Sequence, residues 1–67
     1  MEKSLLSKLK SNGFINKIDT EKRNGKFSIK LEIFKIDHFL LNQILINEKI
    51  DKASINCICG TPWLEIG

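Results

Sequence analysis

Phe27, Ile29, Leu31 and Ile33 alternate with Lys26, Ser28, Lys30 and Glu32, the clearest period-two pattern in the chain. Such alternation predicts a strand with one dry face. We read it over Lys26 to Ile36, because Phe34 and Ile36 extend it. Those two fall on the face that carried the polar residues, so the second face turns apolar near the strand's end. Asn24-Gly25 stands before it, and both central positions of a two-residue hairpin turn favour positive φ. Asp37 stands after it, where its carboxylate can cap a helix. The strand therefore joins a hairpin to a helix.

Weaker patterns fill the rest. Leu5, Leu6 and Leu9 share a face of a short helix over Ser4 to Ser11, and Asn12-Gly13 supplies its stop. Phe14 to Arg23 reads as a first strand with looser alternation, charged as edge strands often are. Asp37 to about Lys49 reads as a second helix. Leu40, Leu41, Ile44 and Leu45 make one apolar stripe and Phe39, Ile46 and Ile50 another, a width that normally packs against more than one layer. Glu48 to Ala53 is a polar connection, Ser54 to Cys59 a third strand, Gly60-Thr61-Pro62 a turn, and Trp63 to Ile66 a short fourth strand. The order is α-β-β-α-β-β. It predicts an α+β domain spanning residues 1–67, with two hairpins in one antiparallel sheet and the helices packed on one face.

Sixty-seven residues suit one domain with a thin core. Eleven Ile, eight Leu, four Phe and one Trp are generous for that size, enough to fold unaided or to bury surface against a partner or a second copy. No run of about 18 apolar residues marks a membrane helix, and the first ten residues lack the apolar centre of a signal peptide, so we expect a cytoplasmic protein with no membrane association. Cys57 and Cys59 are expected to stay reduced.

The net charge of +3 divides unevenly: residues 1–35 carry +5 and residues 36–67 carry −2. A basic half suits an acidic protein or nucleic acid, although Lys is also the ordinary solvating residue of a chain rich in Ile, Lys and Asn. Lys22, Arg23 and Lys26 gather at the hairpin tip, with Lys17 and Lys30 further along. A basic two-stranded ribbon can enter a DNA groove or follow phosphates. Against this, Asp19 and Glu21 dilute the charge, Arg23 is the only arginine, there is no Tyr, and Phe27 between Lys26 and Lys30 falls on the strand's dry face.

Other chemistry is sparse. Cys57 and Cys59 would offer two thiolates on one strand face, but a closed zinc site needs four ligands, and His38 is the only other Cys or His. Two chains, each giving both cysteines, would complete such a site. Nothing places a cysteine nucleophile beside His38, and neither a phosphate-binding glycine loop nor a carboxylate pair is visible. No enzyme and no cofactor are expected.

The expectation is a non-catalytic protein-binding module: an inhibitor, adaptor or accessory subunit, on the scale of many small inhibitors carried by phages and mobile elements. Its partner would be acidic or handle nucleic acid. Trp63, Phe34, Ile36 and Phe39 are the candidate partner-binding residues, since Trp is a common interface anchor and the others form an apolar patch if the second helix leaves them bare. The alternative is nucleic-acid binding through Lys17, Lys22, Arg23, Lys26 and Lys30. The third reading is a dimer bridged by metal at Cys57 and Cys59.

Overall fold

The structure, a computed structural model, describes residues 2–32 and 35–67. The elements are α1 (Glu2–Ser11), β1 (Thr20–Arg23), β2 (Lys26–Lys30), α2 (His38–Asn47), β3 (Ala53–Ile58) and β4 (Thr61–Ile66). The fold is α+β in the expected order. One four-stranded antiparallel sheet has strand order β1-β2-β4-β3, so the two hairpins meet through their second strands. Each half of the chain thus repeats the order helix, then hairpin.

The two helices end alike. After α1, Gly13 sits at φ +83°, its N–H bonds to the Lys10 carbonyl, and the Phe14 N–H bonds to the Leu9 carbonyl. After α2, Lys49 sits at φ +59°, with Lys49 bonded to Ile46 and Ile50 to Leu45. Both are Schellman closures, which satisfy the last carbonyls of a helix. At its start, α2 is capped as expected: the Leu40 N–H donates to Asp37 Oδ1 at 3.0 Å.

The strand registers fix the two sheet faces. Ile29 lies between Thr20 and Leu64, and Leu64 lies opposite Ile55. Phe27, Ile66 and Ala53 share that face. Leu5 and Leu9 of α1 and Leu41, Ile44 and Leu45 of α2 join Ile29, Leu31 and Leu64 in one buried cluster, so both helices cover this face. Ser4 and Lys8 tie the helices together at Glu48. Ser4 Oγ donates to Glu48 Oε2 at 3.0 Å, and Lys8 Nζ lies 2.7 Å from the same oxygen.

These two bonds, Lys8 first, hold the Glu48 carboxyl below its ordinary value of 4.5. A carboxylate whose folded value is lowered contributes stability that is fully present above its unfolded value. That stability is lost as pH falls through the folded value. Glu48→Gln should therefore lower the melting temperature at neutral pH and flatten its fall on acidification. Thermal melts from about pH 7 to about pH 3 check this, and parallel curves for both proteins would refute it.

Three expectations about local structure need correction. The first strand does not begin at Phe14. Phe14 and Ile15, adjacent in sequence, are both buried, which no strand with one dry face permits. They lie in a loop that Glu32 holds from across the chain: its Oε2 accepts the N–H groups of Asn16 at 3.2 Å and Lys17 at 3.1 Å. The main strand ends at Lys30, not Ile36. Beyond Lys30 the chain leaves β1, and Glu32 N–H bonds instead to the Phe14 carbonyl. Ile33 and Phe34 lie outside the described residues.

The second hairpin turns at Cys59-Gly60, not at Gly60-Thr61-Pro62, and β4 starts at Thr61. Cys59 has φ +53° and Gly60 φ +78°, close to Asn24 at +52° and Gly25 at +76°. Pro62 is tolerated in a central strand because its missing donor faces β2 just past that strand's last assigned residue, where Leu31 N–H still bonds to the Pro62 carbonyl. A left-handed conformation costs an ordinary residue about 1–2 kcal/mol, and Asn bears it better. Cys59→Asn should stabilise the protein by about 0.5–1 kcal/mol, raising the melting temperature by roughly 2–8 °C. An unchanged or lower midpoint would show that the turn is not strained.

Candidate binding face of the sheet

The sheet's other face carries Glu21 and Arg23 from β1, Lys26, Ser28 and Lys30 from β2, Trp63 and Glu65 from β4, and Ser54 and Asn56 from β3. Alternation puts these residues there, because each neighbours a residue that points at the helices. Neither helix covers this face. Its middle is roofed by its own side chains.

The centre is a pair brought together from both hairpins. The Arg23 guanidinium lies over the Trp63 ring, 4.4 Å from its centroid, and attracts the ring's negative face. Arg23 reaches diagonally across Ser28, which is fully buried although it is polar and on the uncovered face. Glu21 Oε2 lies 2.9 Å from Arg23 Nε and helps hold the guanidinium over the ring. Its angle is poor for a hydrogen bond, so Nε, like Arg23 Nη2 and Ser28 Oγ, has no hydrogen-bond partner among the described residues. Trp63 lies opposite Lys30 on one side and Asn56 on the other. Asn56 Nδ2 approaches Glu65 Oε2 at 3.4 Å. The face therefore presents one aromatic ring, three cations (Arg23, Lys26, Lys30) and two carboxylates (Glu21, Glu65).

At the margin, Glu32 accepts from Lys17 and Asn16. The Lys17 N–H contributes most to holding its carboxyl below the ordinary value, and the charges of Lys17 and Lys30 add to it. Glu32 thus acts as a clasp for the loop before β1.

The expected partner-binding residues do not form one patch. Trp63 sits on the uncovered sheet face. Phe39 is 76% exposed on α2, on the opposite side of the sheet. Ile36 is half-buried against the core, and Phe34 lies outside the described residues. The expected basic set also divides. Arg23, Lys26 and Lys30 share the Trp63 face, Lys22 lies on the helix side of β1, and Lys17 lies in the preceding loop. An aromatic does lie among the basic residues after all. Trp63 is 40 positions from Arg23, so only the β2–β4 pairing could show it.

The cysteines are both exposed, but Cys57 lies on β3 while Cys59 is in the turn, so they do not share a strand face. His38 begins α2 and lines a groove with Ala53, Ser54 and Ile55. Among the described residues, no three His, Cys, Asp or Glu side chains gather as a metal site, and no helix is long and apolar enough to cross a membrane. The chain matches no family model, and no curated protein and no solved structure is detectably similar to it.

Proposed function

We propose that the chain is a non-catalytic protein-binding module, an inhibitor, adaptor or accessory subunit, that meets its partner with the uncovered face of its sheet. One observation carries this reading: Arg23 stacked on Trp63 at the centre of a face that neither helix covers. Trp and Arg dominate the binding energy of protein interfaces, and they do so from the middle of a patch. The stack also costs little ordering on binding, because Arg23 is already held by the ring and by Glu21. Three cations against two carboxylates favour a partner surface with acidic groups. The reading includes a cytoplasmic setting, supported by two exposed free thiols, which a reducing compartment preserves.

The test is capture from native lysate by wild type and by Trp63→Ala, each with and without nuclease. A protein that survives nuclease with wild type and is lost with Trp63→Ala supports the reading. A protein retained equally by both removes the sheet face from the interaction.

A second reading, direct binding of nucleic acid, is favoured by Lys26, Arg23 and Lys30 lying around Trp63 on one face. Cations that follow a backbone beside a ring that stacks on bases are how single strands are held. Here the captured material disappears with nuclease. Lys26→Ala with Lys30→Ala then lowers the salt dependence of binding.

A further inference from the structure

The two edges of the sheet differ in kind. β1 is four residues long and reads TEKR, charged as edge strands are when they avoid other chains. β3 is six residues long and reads ASINCI, with no charge and no proline. A long uncharged edge is a template for another strand.

The backbone groups that β3 leaves free can be read from its pairing. A two-residue turn is flanked by a hydrogen-bonded pair, here Ile58 and Thr61, and such pairs alternate along an antiparallel ladder. Pro62 agrees: its carbonyl bonds to Leu31 on the β2 side, so Cys57 opposite it points its own backbone outward. The outward N–H and C=O groups are therefore those of Ala53, Ile55 and Cys57. They are centred on Ile55.

A second feature borders the same edge. Phe39 and Ile46, 76% and 59% exposed, stand seven residues apart on one stripe of α2. His38 and Asn42 line a groove of about 440 Å³ between α2 and β3, with Leu41, Leu45, Ala53 and Ile55 among its other walls. At about 100° per residue, Asn42 falls between buried Leu45 and the exposed stripe. The stripe itself lies on the solvent side of α2, nearly opposite buried Leu41, Ile44 and Leu45, so the β3 edge is bordered by the groove. Residues 38–47 contain no acidic residue, Lys or Arg. The excess positive charge belongs to residues 1–35, which build α1, β1 and β2 at the far end of the sheet.

We propose that the β3 edge and the groove between it and α2 form a self-association surface that seats a second copy of this chain. A two-fold axis at Ile55 pairs the two β3 strands antiparallel. Each outward N–H then meets a carbonyl, Ile55 opposite its counterpart and Ala53 opposite Cys57, giving about six inter-chain hydrogen bonds. The axis stands perpendicular to the sheet, so both α2 helices lie on the same side and their two grooves join across the seam. Like copies meet here because the outward groups are symmetric about Ile55 and β3 itself carries no charge to repel its counterpart. In this register the two Cys57 residues are about 14 Å apart, too far to share a metal.

The test is sedimentation of the full chain under reducing conditions, at about 100 µM, with dissociation constants obtained by dilution. The expected mass is twice 7.7 kDa. Cys57→Pro deletes an outward N–H and leaves the β3–β4 hydrogen bonds intact, and Ala53→Lys puts a charge on the exposed edge, where the paired register sets it opposite Cys57 of the second copy. Each should raise the dissociation constant at least tenfold, an effect of about 1.4 kcal/mol, with the far-UV spectrum unchanged. Should Cys57→Pro unfold, Ala53→Lys decides alone. A monomeric wild type overturns the proposal, as does a dimer indifferent to the variants. Neither result bears on Trp63, which lies on the other face.

Discussion

Leu64→Ala should leave the chain largely unfolded at room temperature. Leu64 is 1% exposed and lies in the sheet register between Ile29 and Ile55, beneath both helices. Truncating a buried leucine costs about 2–5 kcal/mol, because the transfer energy is lost and the surroundings only partly close the cavity. A domain of this size holds only about 3–5 kcal/mol from its core. The loss and the total are therefore comparable. Ile18→Ala supplies the contrast: at 57% exposure it should shift stability by less than about 0.5 kcal/mol. Urea titrations followed by far-UV circular dichroism would measure both. A Leu64→Ala protein that keeps a midpoint near that of wild type would mean that the two hairpins do not depend on their shared seam.

Trp63→Ala should have the opposite profile, a folded protein that has lost its partner. The ring is half-buried by Arg23 on the uncovered face and takes no part in the buried cluster under the helices. Truncating a central anchor typically costs about 2–4 kcal/mol of binding, or roughly a 30- to 1000-fold weaker complex. Trp63→Phe keeps an aromatic face and should recover part of the loss, whereas Arg23→Lys should not, since an ammonium lacks the planar group that stacks. Calorimetric titration against the captured partner separates these variants. If Trp63→Ala binds as wild type does, the sheet face is only solvated surface. If binding and melting temperature fall together in all three variants, the stack is structural.

What the sequence made legible was local. Asn24-Gly25 turns where two positive φ angles are needed, Asp37 caps α2, and the alternation from Lys26 to Leu31 does separate a polar face from a buried one. These features depend on residues a few positions apart. The features that needed the fold join distant ones. Glu32 clasps a loop 15 and 16 residues earlier, Glu48 reaches Ser4 across 44 positions, and Arg23 finds Trp63 across the seam between hairpins. Phe14 and Ile15 misled for the same reason, as their burial comes from that clasped loop and not from a strand's period. The second turn was hidden by residue type. Cys is not a usual turn residue, and Pro62 resembles one although it lies in a central strand.

The charges on β1 bear on how far an assembly could grow. A sheet with two open edges, each accepting a strand, can add copies without end and become a fibre. Here Glu21 and Lys22 hold one edge in water, while Arg23 is drawn inward onto Trp63. The proposed pairing at β3 about a two-fold axis would use the uncharged β3 edge of each copy. The resulting eight-stranded sheet would end on both sides in TEKR, so its growth would stop at two copies.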